Sequence, residues 1–311
     1  MQSKTARRET EIKAVVFDFG GVVFDSPLPI IAMYEHKWGL PRLALNYFLS
    51  TSQVFEDLEC GRVELPHAFA PMLREMEEKL PPIVAWLLES RDKKKRVADD
   101  AKRSEAEYAE ESQRITQNAI KSMRLEELFT QLAVGMKLRE PVLRSIKKLR
   151  QAGYVVAALT NNWNMLYVSR KESETKSQPH ALSTIQDGGE DAQPASLKRI
   201  RGAFDRIFES YKLGRRKPAP ELFAYVAKEL GFAPNECLMV DDLEANLRGA
   251  REAGFSTLLA PTPGRMVQRP VEGHQKSSRQ VRSQDEAALA LVELLEEMLG
   301  VCLKECIKSK L

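Results

Sequence analysis

The stretch AVVFDFGGVVFDS, residues 14–26, decides how the fold of this chain is interpreted. It overlaps the apolar, β-branched run IKAVVF (12–17), a pattern typical of a buried strand. The run ends at Asp18, and the glycines at 20 and 21 predict a tight turn directly after it. The triplet DFG at 18–20 has three interpretations: a kinase metal-binding triplet, the nucleophile loop of a phosphatase, or the end of an ordinary strand.

The position of the triplet excludes a protein kinase. Kinases carry a glycine-rich loop, a strand lysine and a catalytic loop upstream of it. Only seventeen residues precede Asp18, so the nucleophile loop and the plain strand end remain as interpretations.

The composition predicts a soluble globular protein with a small ligand. The chain has 311 residues, is 43% hydrophobic and carries 47 basic against 44 acidic residues, a net charge of +3. The two signs are interspersed, so we expect no nucleic-acid surface, and a small anionic ligand fits better. No apolar run is long enough for a membrane span, and the first residues lack the apolar region of a secretory signal.

The final tripeptide and the cysteines indicate a compartment. Ser309-Lys310-Leu311 matches the address that the peroxisomal import receptor recognises, so we expect peroxisomal import, with a cytoplasmic location otherwise. The four cysteines are expected to stay reduced, and because none forms a C-x-x-C pair, a structural zinc site is not expected.

Apolar runs alternate with helical patterns in the second half of the chain. YVVAALT (154–160), CLMVDD (237–242) and STLLA (256–260) are typical of buried strands, and helical patterns ending in glycine precede the first and the last of them. This alternation predicts an α/β fold, here a Rossmann-like, doubly wound parallel sheet.

The long stretch after the first strand has helical patterns and lacks strand signals, which predicts a helical cap inserted into the core domain. Two later stretches are poor in apolar residues. The first is expected to be a disordered insertion, and the second a polar connection to a final helix. The expected ranges are 12–25 and 136–300 for the core, 26–135 for the cap, 169–200 for the insertion, 262–284 for the connection and 286–299 for the helix.

Polar side chains follow three of the predicted strands. Asp18 follows the first, Thr160-Asn161-Asn162 follow the second, and Asp241-Asp242 follow a third. In parallel α/β sheets, ligands bind beyond the carboxyl ends of the strands. Each position alone is compatible with a satisfied strand end or, for the aspartates, a helix cap. Three strands that deliver such groups to one edge indicate a site.

At this point the chain resembles the haloacid dehalogenase-like superfamily of phosphatases and related hydrolases. The superfamily motifs correspond, in the right order, to VVFDFGGVVFDS, VVAALTNNW, LGRRKPAPELF with Lys217, and CLMVDDLEANLRGAREAG. The resemblance covers about 12–26 and 140–260, and it is greatest to the phosphatase domain that precedes soluble epoxide hydrolases and its free-standing relatives. The nucleophile elbow G-x-S-x-G of α/β-hydrolases is absent from the sequence.

The resemblance implies a magnesium-dependent phosphatase that acts on a small phosphorylated or diphosphorylated metabolite. Asp18 would be the nucleophile that forms an aspartyl-phosphate. Mg²⁺ would be bound by the Asp18 carboxylate, the backbone carbonyl of Gly20 and Asp242, with Asp241 assisting.

The resemblance also implies the phosphate-binding groups. The Thr160 hydroxyl and the Asn161 backbone would hydrogen-bond to phosphoryl oxygens. Lys217 would neutralise the charge of those oxygens and restrain Asp18. A helix cap at the aspartate pair, a surface lysine and an ordinary strand-end hydroxyl are the alternative interpretations.

Gly20 departs from the family pattern, because most family phosphatases have there an aspartate that protonates the leaving group. Three outcomes are open: a substrate with a good leaving group, a proton supplied by Asp25, the cap or a metal-bound water, or a domain that only binds a phosphorylated ligand or a partner. A metal-independent dehalogenase is a further alternative on the same scaffold, and Asp242 with the glycine pair argues against it.

Overall fold

The computed structural model describes residues 11–95, 103–164, 199–269 and 277–308. Two sequence predictions fall largely or wholly outside these ranges. The tripeptide 309–311 is not among the described residues, so its targeting role stays a prediction. The insertion predicted at 169–200 is described only at its last two residues, Arg199 and Ile200, and Ile200 is buried. No helix of the described residues is long and apolar enough to cross a membrane.

A five-stranded parallel sheet forms the centre of the first compact unit. Its strand order, β3-β2-β1-β4-β5, places β1 in the middle, and the chain winds outward from β1 in both directions. This confirms the predicted doubly wound, Rossmann-like fold. The strands are β1 Ala14–Phe17, β2 Val155–Thr160, β3 Arg206–Glu209, β4 Cys237–Asp241 and β5 Ser256–Leu259.

The second compact unit is helical and follows β1 in the chain, as expected for an inserted cap. Its longest helix presents a buried residue at every fourth position from Ala68 to Leu88, so one stripe of this helix lies in the core of the unit. Trp163, predicted in the core domain, instead packs with the helical unit, its ring centroid 5.1 Å from that of Phe129. The helices are α1 Leu28–Lys37, α2 Ala44–Thr51, α3 Gln53–Glu59, α4 Leu65–Lys95, α5 Glu105–Ser122 and α6 Leu125–Val134.

Helices flank the sheet in the first unit. The predicted helices before β2 and near the end of the chain are present, the latter beginning two residues earlier than expected. These helices are α7 Glu140–Gln151, α8 Ser210–Leu213, α9 Pro220–Leu230, α10 Glu244–Glu252, α11 Gln284–Leu299 and α12 Lys304–Lys308.

The segment 262–284, predicted as a polar connection to the final helix, contains secondary structure that the sequence analysis did not predict. It contains an antiparallel pair of strands, β6 Met266–Arg269 and β7 Ser277–Gln280. Val267 packs against a small buried cluster of Val281, Ala287 and Ala290, which gives this polar segment an apolar anchor on α11. Strand β3 was also missed, because it is short and begins with an exposed arginine.

The order of the strands brings the ends of β1 and β4 together. These two strands are neighbours in register, with Phe17 opposite Val240. The backbone N–H of Asp18 donates to the carbonyl of Val240 at 2.9 Å. The residues that follow β1 and those that end β4 therefore meet at the carboxyl edge of the sheet, at the switch point of the winding.

Helix α10 crosses the Lys217–Pro218 segment at very short range. The point of closest approach is Gly249, where an added Cβ atom would lie 1.8 Å from the Pro218 carbonyl oxygen. A backbone oxygen cannot rotate out of the way as a side chain can. Gly249 is therefore required for the close packing of α10 against the residue that follows Lys217.

We predict that Gly249→Ala lowers the free energy of unfolding by about 1–3 kcal/mol, the usual cost of overpacking. The cost of overpacking should exceed the helix-propensity advantage of about 1 kcal/mol that alanine has over glycine, so the variant should be less stable than the wild type. Denaturant unfolding measures the change, with Glu252→Ala on the exposed part of the same helix as control. A variant as stable as the wild type would contradict the steric argument.

Candidate active site

Asp18 lies buried at the end of β1 and is held by two donors. Its Oδ1 atom accepts the backbone N–H of Phe19 at 2.7 Å and lies 2.9 Å from the Nζ atom of Lys217. Both contacts fix the same oxygen, and the orientation of the carboxylate follows from them.

Lys217 joins Asp18 to Asp241. Its side chain is 1% exposed, and its Nζ atom lies 2.7 Å from Asp241 Oδ2. The backbone of Lys217 is held by the side chain of Asn161, whose Nδ2 donates to the Lys217 carbonyl at 3.0 Å and whose Oδ1 accepts the Lys217 N–H at 2.9 Å. Asn161, predicted to act through its backbone, thus also positions the lysine with its side chain.

The two neighbouring aspartates have different surroundings. Asp241 accepts hydrogen bonds from Lys217, from the Asn246 amide and from the backbone N–H of Leu243 at the start of α10. The contact with Leu243 is not the helix cap of the alternative interpretation, because Leu243 is itself the N-cap residue of α10 and that position has no side-chain cap hydrogen bond. Asp242 has no hydrogen bond or ion pair with any described residue, although its exposed fraction is only 6%.

The turn after β1 makes room for the Asp242 carboxylate. Phe19–Val23 form a π-type turn, in which Gly21 has φ +75°. A Cβ atom on Gly21 would lie 2.1 Å from Asp242 Oδ2, so a side chain there would displace the Asp242 carboxylate, and the positive φ disfavours any side chain in addition. Gly20 has φ −68° and ψ 128°, values that any residue adopts.

Burial and like charge determine the electrostatics of the site. Burial raises the pKa of Asp18, and the charge of Asp241 adds to this while Lys217 opposes it. Burial, together with the charges of Asp18 and Asp241, raises the pKa of Asp242 to about 7. For Lys217, burial acts to lower the pKa, but the two carboxylates outweigh it and raise the pKa above the ordinary value.

The three carboxylates form a donor set suited to a hard cation. Asp18, Asp241 and Asp242 each offer an oxygen, and these oxygens lie within 4.8 Å of one another. Their combined charge is compensated in part by Lys217. The Asp242 carboxylate has no hydrogen bond with a described residue and lies beside Gly21, which leaves space. These features suit Mg²⁺, which takes oxygen ligands and retains several waters.

Thr160 lies at the end of β2, the strand that pairs with β1 on the other side, and is buried. Among the described residues its hydroxyl has a single hydrogen-bond partner, the Asn161 carbonyl oxygen at 3.5 Å. The structure therefore brings Asp18, Lys217, Asp241 and Asp242 into one cluster, and it places Thr160 on the neighbouring strand without a hydrogen bond to that cluster.

Sequence reasoning missed two polar groups that support the cluster. Asn246 stands in the quoted motif VDDLEAN, five residues after Asp241, and its spacing on the first turn of α10 was the available signal. Arg139 contacts the turn after β1 from a distance of more than one hundred residues, and no local pattern indicated it.

Comparison with known proteins identifies the class. The haloacid dehalogenase-like hydrolase family model matches residues 12–254, most of the chain. The chain belongs to this family, in agreement with the fold and with the predicted resemblance.

Individual relatives share shorter segments. Bifunctional epoxide hydrolase 2 of Mus musculus is 24% identical over 153 residues, which are 49% of this chain and 24% of the mouse protein. D-ribitol-5-phosphate phosphatase of Bacteroides thetaiotaomicron is 43% identical over 60 residues, 19% of this chain and 29% of that enzyme. The matched segments thus span about a quarter of each relative. A solved structure from Porphyromonas gingivalis, described as a predicted HAD-like family hydrolase, covers 80% of this chain and 90% of its own, with 17% identity and a TM-score of 0.47.

We predict that Asp242→Asn stabilises the metal-free protein. The substitution removes a buried charge next to two other carboxylates, and at pH 8 the gain should be about 1–3 kcal/mol. Because folding raises the pKa of Asp242, the wild type loses stability as the pH rises from about 4 to about 7, and the advantage of the variant should grow over the same range.

Thermal unfolding in EDTA across this pH range measures the effect. Asp241→Asn is the matched control, and it should destabilise, because Asp241 is paired with Lys217 and accepts hydrogen bonds from two further groups, the Leu243 N–H and the Asn246 amide. Equal effects of the two substitutions would mean that the two aspartates do not differ as described.

Proposed function

We propose that this protein is a magnesium-dependent phosphatase that acts on a small phosphorylated or diphosphorylated metabolite through an aspartyl-phosphate on Asp18. The observation that carries the proposal is the pairing of the Asp18 carboxylate with a buried lysine beside Asp242, a second carboxylate that has no hydrogen bond among the described residues. The word phosphatase in the names of two relatives, from Bacteroides thetaiotaomicron and Mycobacterium tuberculosis, supports the same chemistry.

In this proposal Asp18 attacks phosphorus. The Lys217 contact and the Phe19 N–H hold Oδ1, so Oδ2 is the oxygen left for the new bond. The phosphorus–oxygen bond to the leaving group breaks, and water then cleaves the acyl-phosphate to regenerate the carboxylate and release phosphate. Two easier displacements thus replace one difficult displacement.

Lys217 balances charge in both steps. It already bridges Asp18 and Asp241 and stays protonated because of them. A fixed ammonium group in a buried site stabilises developing negative charge without reorganisation. Thr160 and the Asn161 backbone at the end of β2 are proposed to hydrogen-bond to the phosphoryl oxygens.

Mg²⁺ would be held by Asp18, Asp242 and the backbone carbonyl of Gly20. The family resemblance implied an assisting role in metal binding for Asp241. We propose that Asp241 acts mainly through Lys217, because its carboxylate already accepts hydrogen bonds from Lys217, the Leu243 N–H and the Asn246 amide. When bound, the metal supplies charge neutralisation and orientation of the phosphoryl group.

The proton for the leaving group has no side-chain source at Gly20. Asp25 was one substitute, but its Oδ1 atom lies 3.3 Å from the Nε atom of the buried Arg139, so this carboxylate is already engaged by a cation in the turn. The proposal therefore favours substrates whose leaving groups need little protonation, such as diphosphates, acyl phosphates or anomeric sugar phosphates.

We predict that Asp18→Asn abolishes magnesium-dependent phosphate release. The amide retains the shape of the carboxylate but lacks its nucleophilic charge. Purified protein is tested on a panel of phosphoesters and anhydrides with Mg²⁺ and with EDTA. Glu252→Gln, the same change of functional group on the exposed part of α10, is the control and should keep full activity.

The alternatives give different results in the same panel. Chloride release from a haloacid without Mg²⁺ would contradict the phosphatase proposal and indicate a dehalogenase. Binding of phosphorylated ligands without any phosphate release by the wild type would indicate a non-catalytic binding protein.

We predict that Gly20→Asp accelerates hydrolysis of alkyl phosphates, up to about 10²-fold, the lower range of general acid catalysis. The backbone at Gly20 already has dihedral angles that aspartate adopts. Rates are compared for aryl and alkyl phosphates of increasing leaving-group pKa, and the dependence on that pKa should become shallower in the variant. Gly20→Asn, which has the same shape without the acid, should give no acceleration. If neither variant differs from the wild type, another group already supplies the proton.

A further inference from the structure

Arg139 is a buried cation that binds the turn after β1. The exposed fraction of its side chain is 2%. Its Nη1 atom donates to the Gly21 carbonyl at 2.6 Å, its Nε lies 3.3 Å from Asp25 Oδ1, and its Nη2 donates to Oε1 of Gln284. All three nitrogens of the guanidinium group are thus engaged, each by a different acceptor.

The backbone next to Arg139 is bound to the same turn. The Arg139 N–H donates to the Val23 carbonyl at 2.9 Å, and the Asp25 N–H donates to the Lys137 carbonyl at 2.8 Å. Phe24 and Leu138 form an isolated antiparallel bridge between these bonds. The segment 137–139 therefore holds residues 21–25 through its main chain and through one side chain.

The turn contains two consecutive glycines, which have more backbone freedom than any other residue type. One end of the turn is fixed by the sheet, where the Asp18 N–H binds Val240. The middle of the turn is fixed at the Gly21 carbonyl by Arg139. Between these two points lies the Gly20 carbonyl, the proposed backbone ligand of the metal.

We propose that Arg139 is a positioning residue of the active site, which holds the Gly20–Gly21 backbone in the conformation needed for metal binding and for the attack by Asp18. The proposal rests on the phosphatase function argued above. In this role Arg139 acts through its contacts with the Gly21 carbonyl and with Asp25.

Gln284, in the last part of the chain, holds the Arg139 side chain. It is the first residue of α11, directly after the N-cap Ser283, whose hydroxyl accepts the Glu286 N–H at 3.1 Å. The amide oxygen of Gln284 accepts from Nη2 of the same guanidinium group whose Nη1 donates to Gly21. Because Gln284 lies beyond residues 12–254, a segment outside the family match contributes to the active-site turn.

The charge of Arg139 also bears on the site. Burial lowers the pKa of Arg139, while the charges of Asp25, Asp242 and Asp285 oppose that effect. Asp242 is thus close enough to interact with this cation, which offsets part of the repulsion among the clustered carboxylates.

The experiment compares Arg139→Met and Gln284→Met with a matched control. Arg144 lies on α7, beyond the N-cap position that Arg139 occupies, and its guanidinium group donates to the Cys306 carbonyl and not to the turn. Arg144→Met thus removes an interior arginine contact without touching residues 18–25. Hydrogen–deuterium exchange of these residues in the metal-free protein is the readout that does not depend on activity.

We predict faster exchange at residues 19–25 in Arg139→Met, a smaller increase in Gln284→Met, and none in Arg144→Met. Mg²⁺ affinity, measured by calorimetry, should fall by about 10–100-fold in Arg139→Met, as is usual when a residue supporting a metal ligand is lost. For a phosphoester that the wild type hydrolyses, kcat at saturating Mg²⁺ should fall more than KM rises. If Arg139→Met does not fold, Gln284→Met provides the same comparison.

Unchanged exchange at 19–25 in both variants, or an equal increase in Arg144→Met, would overturn the positioning role. Failure of the phosphatase proposal has a different signature: the wild type itself would neither bind Mg²⁺ nor release phosphate, while the exchange results would still report on the contact between Arg139 and the turn.

Discussion

The Lys217 ammonium group between Asp18 and Asp241 is the interaction on which the rest of the site depends. Three carboxylates are buried within a few ångströms of one another, and without a cation their mutual repulsion and loss of hydration oppose folding. Two contacts position the lysine. The side chain of Asn161 hydrogen-bonds to both the N–H and the carbonyl of Lys217, and Gly249 allows α10 to pack closely against Pro218. Removing one partner leaves the others as uncompensated buried charges.

Asp242, unlike Asp18 and Asp241, has no contact with Lys217 or another cation within ion-pair distance among the described residues. It is buried beside like charges and has no hydrogen bond among the described residues, so it opposes stability in the metal-free protein. The same features make it available to a cation. In the proposed function, stability and metal binding therefore conflict at a single carboxylate, and Gly21 preserves the space that this carboxylate occupies.

Much of this could be predicted from local sequence patterns. The strand that ends in Asp18, the alternation of strands and helices and the aspartates at the ends of β1 and β4 followed from short segments, because a parallel sheet brings the carboxyl ends of its strands to one edge. Lys217 was indicated only by the resemblance to the family. Strand β3 and the β6–β7 pair were missed, since short or polar strands resemble loops. Arg139 was missed because its contacts join residues 118 and 145 positions apart, and no periodicity extends over such distances.

The sequence by itself determined the class of fold and which polar side chains follow the central strands, because these depend on the order of residues along one segment. Only the tertiary structure decided how the two adjacent aspartates divide their roles. Asp241 and Asp242 are adjacent residues of the same type. Asp241 accepts hydrogen bonds from Lys217, Asn246 and the Leu243 N–H, whereas the Asp242 carboxylate occupies the space left by the missing side chain of Gly21. Their difference arises from groups distant in the chain, and these are brought near only when the sheet and α10 pack together.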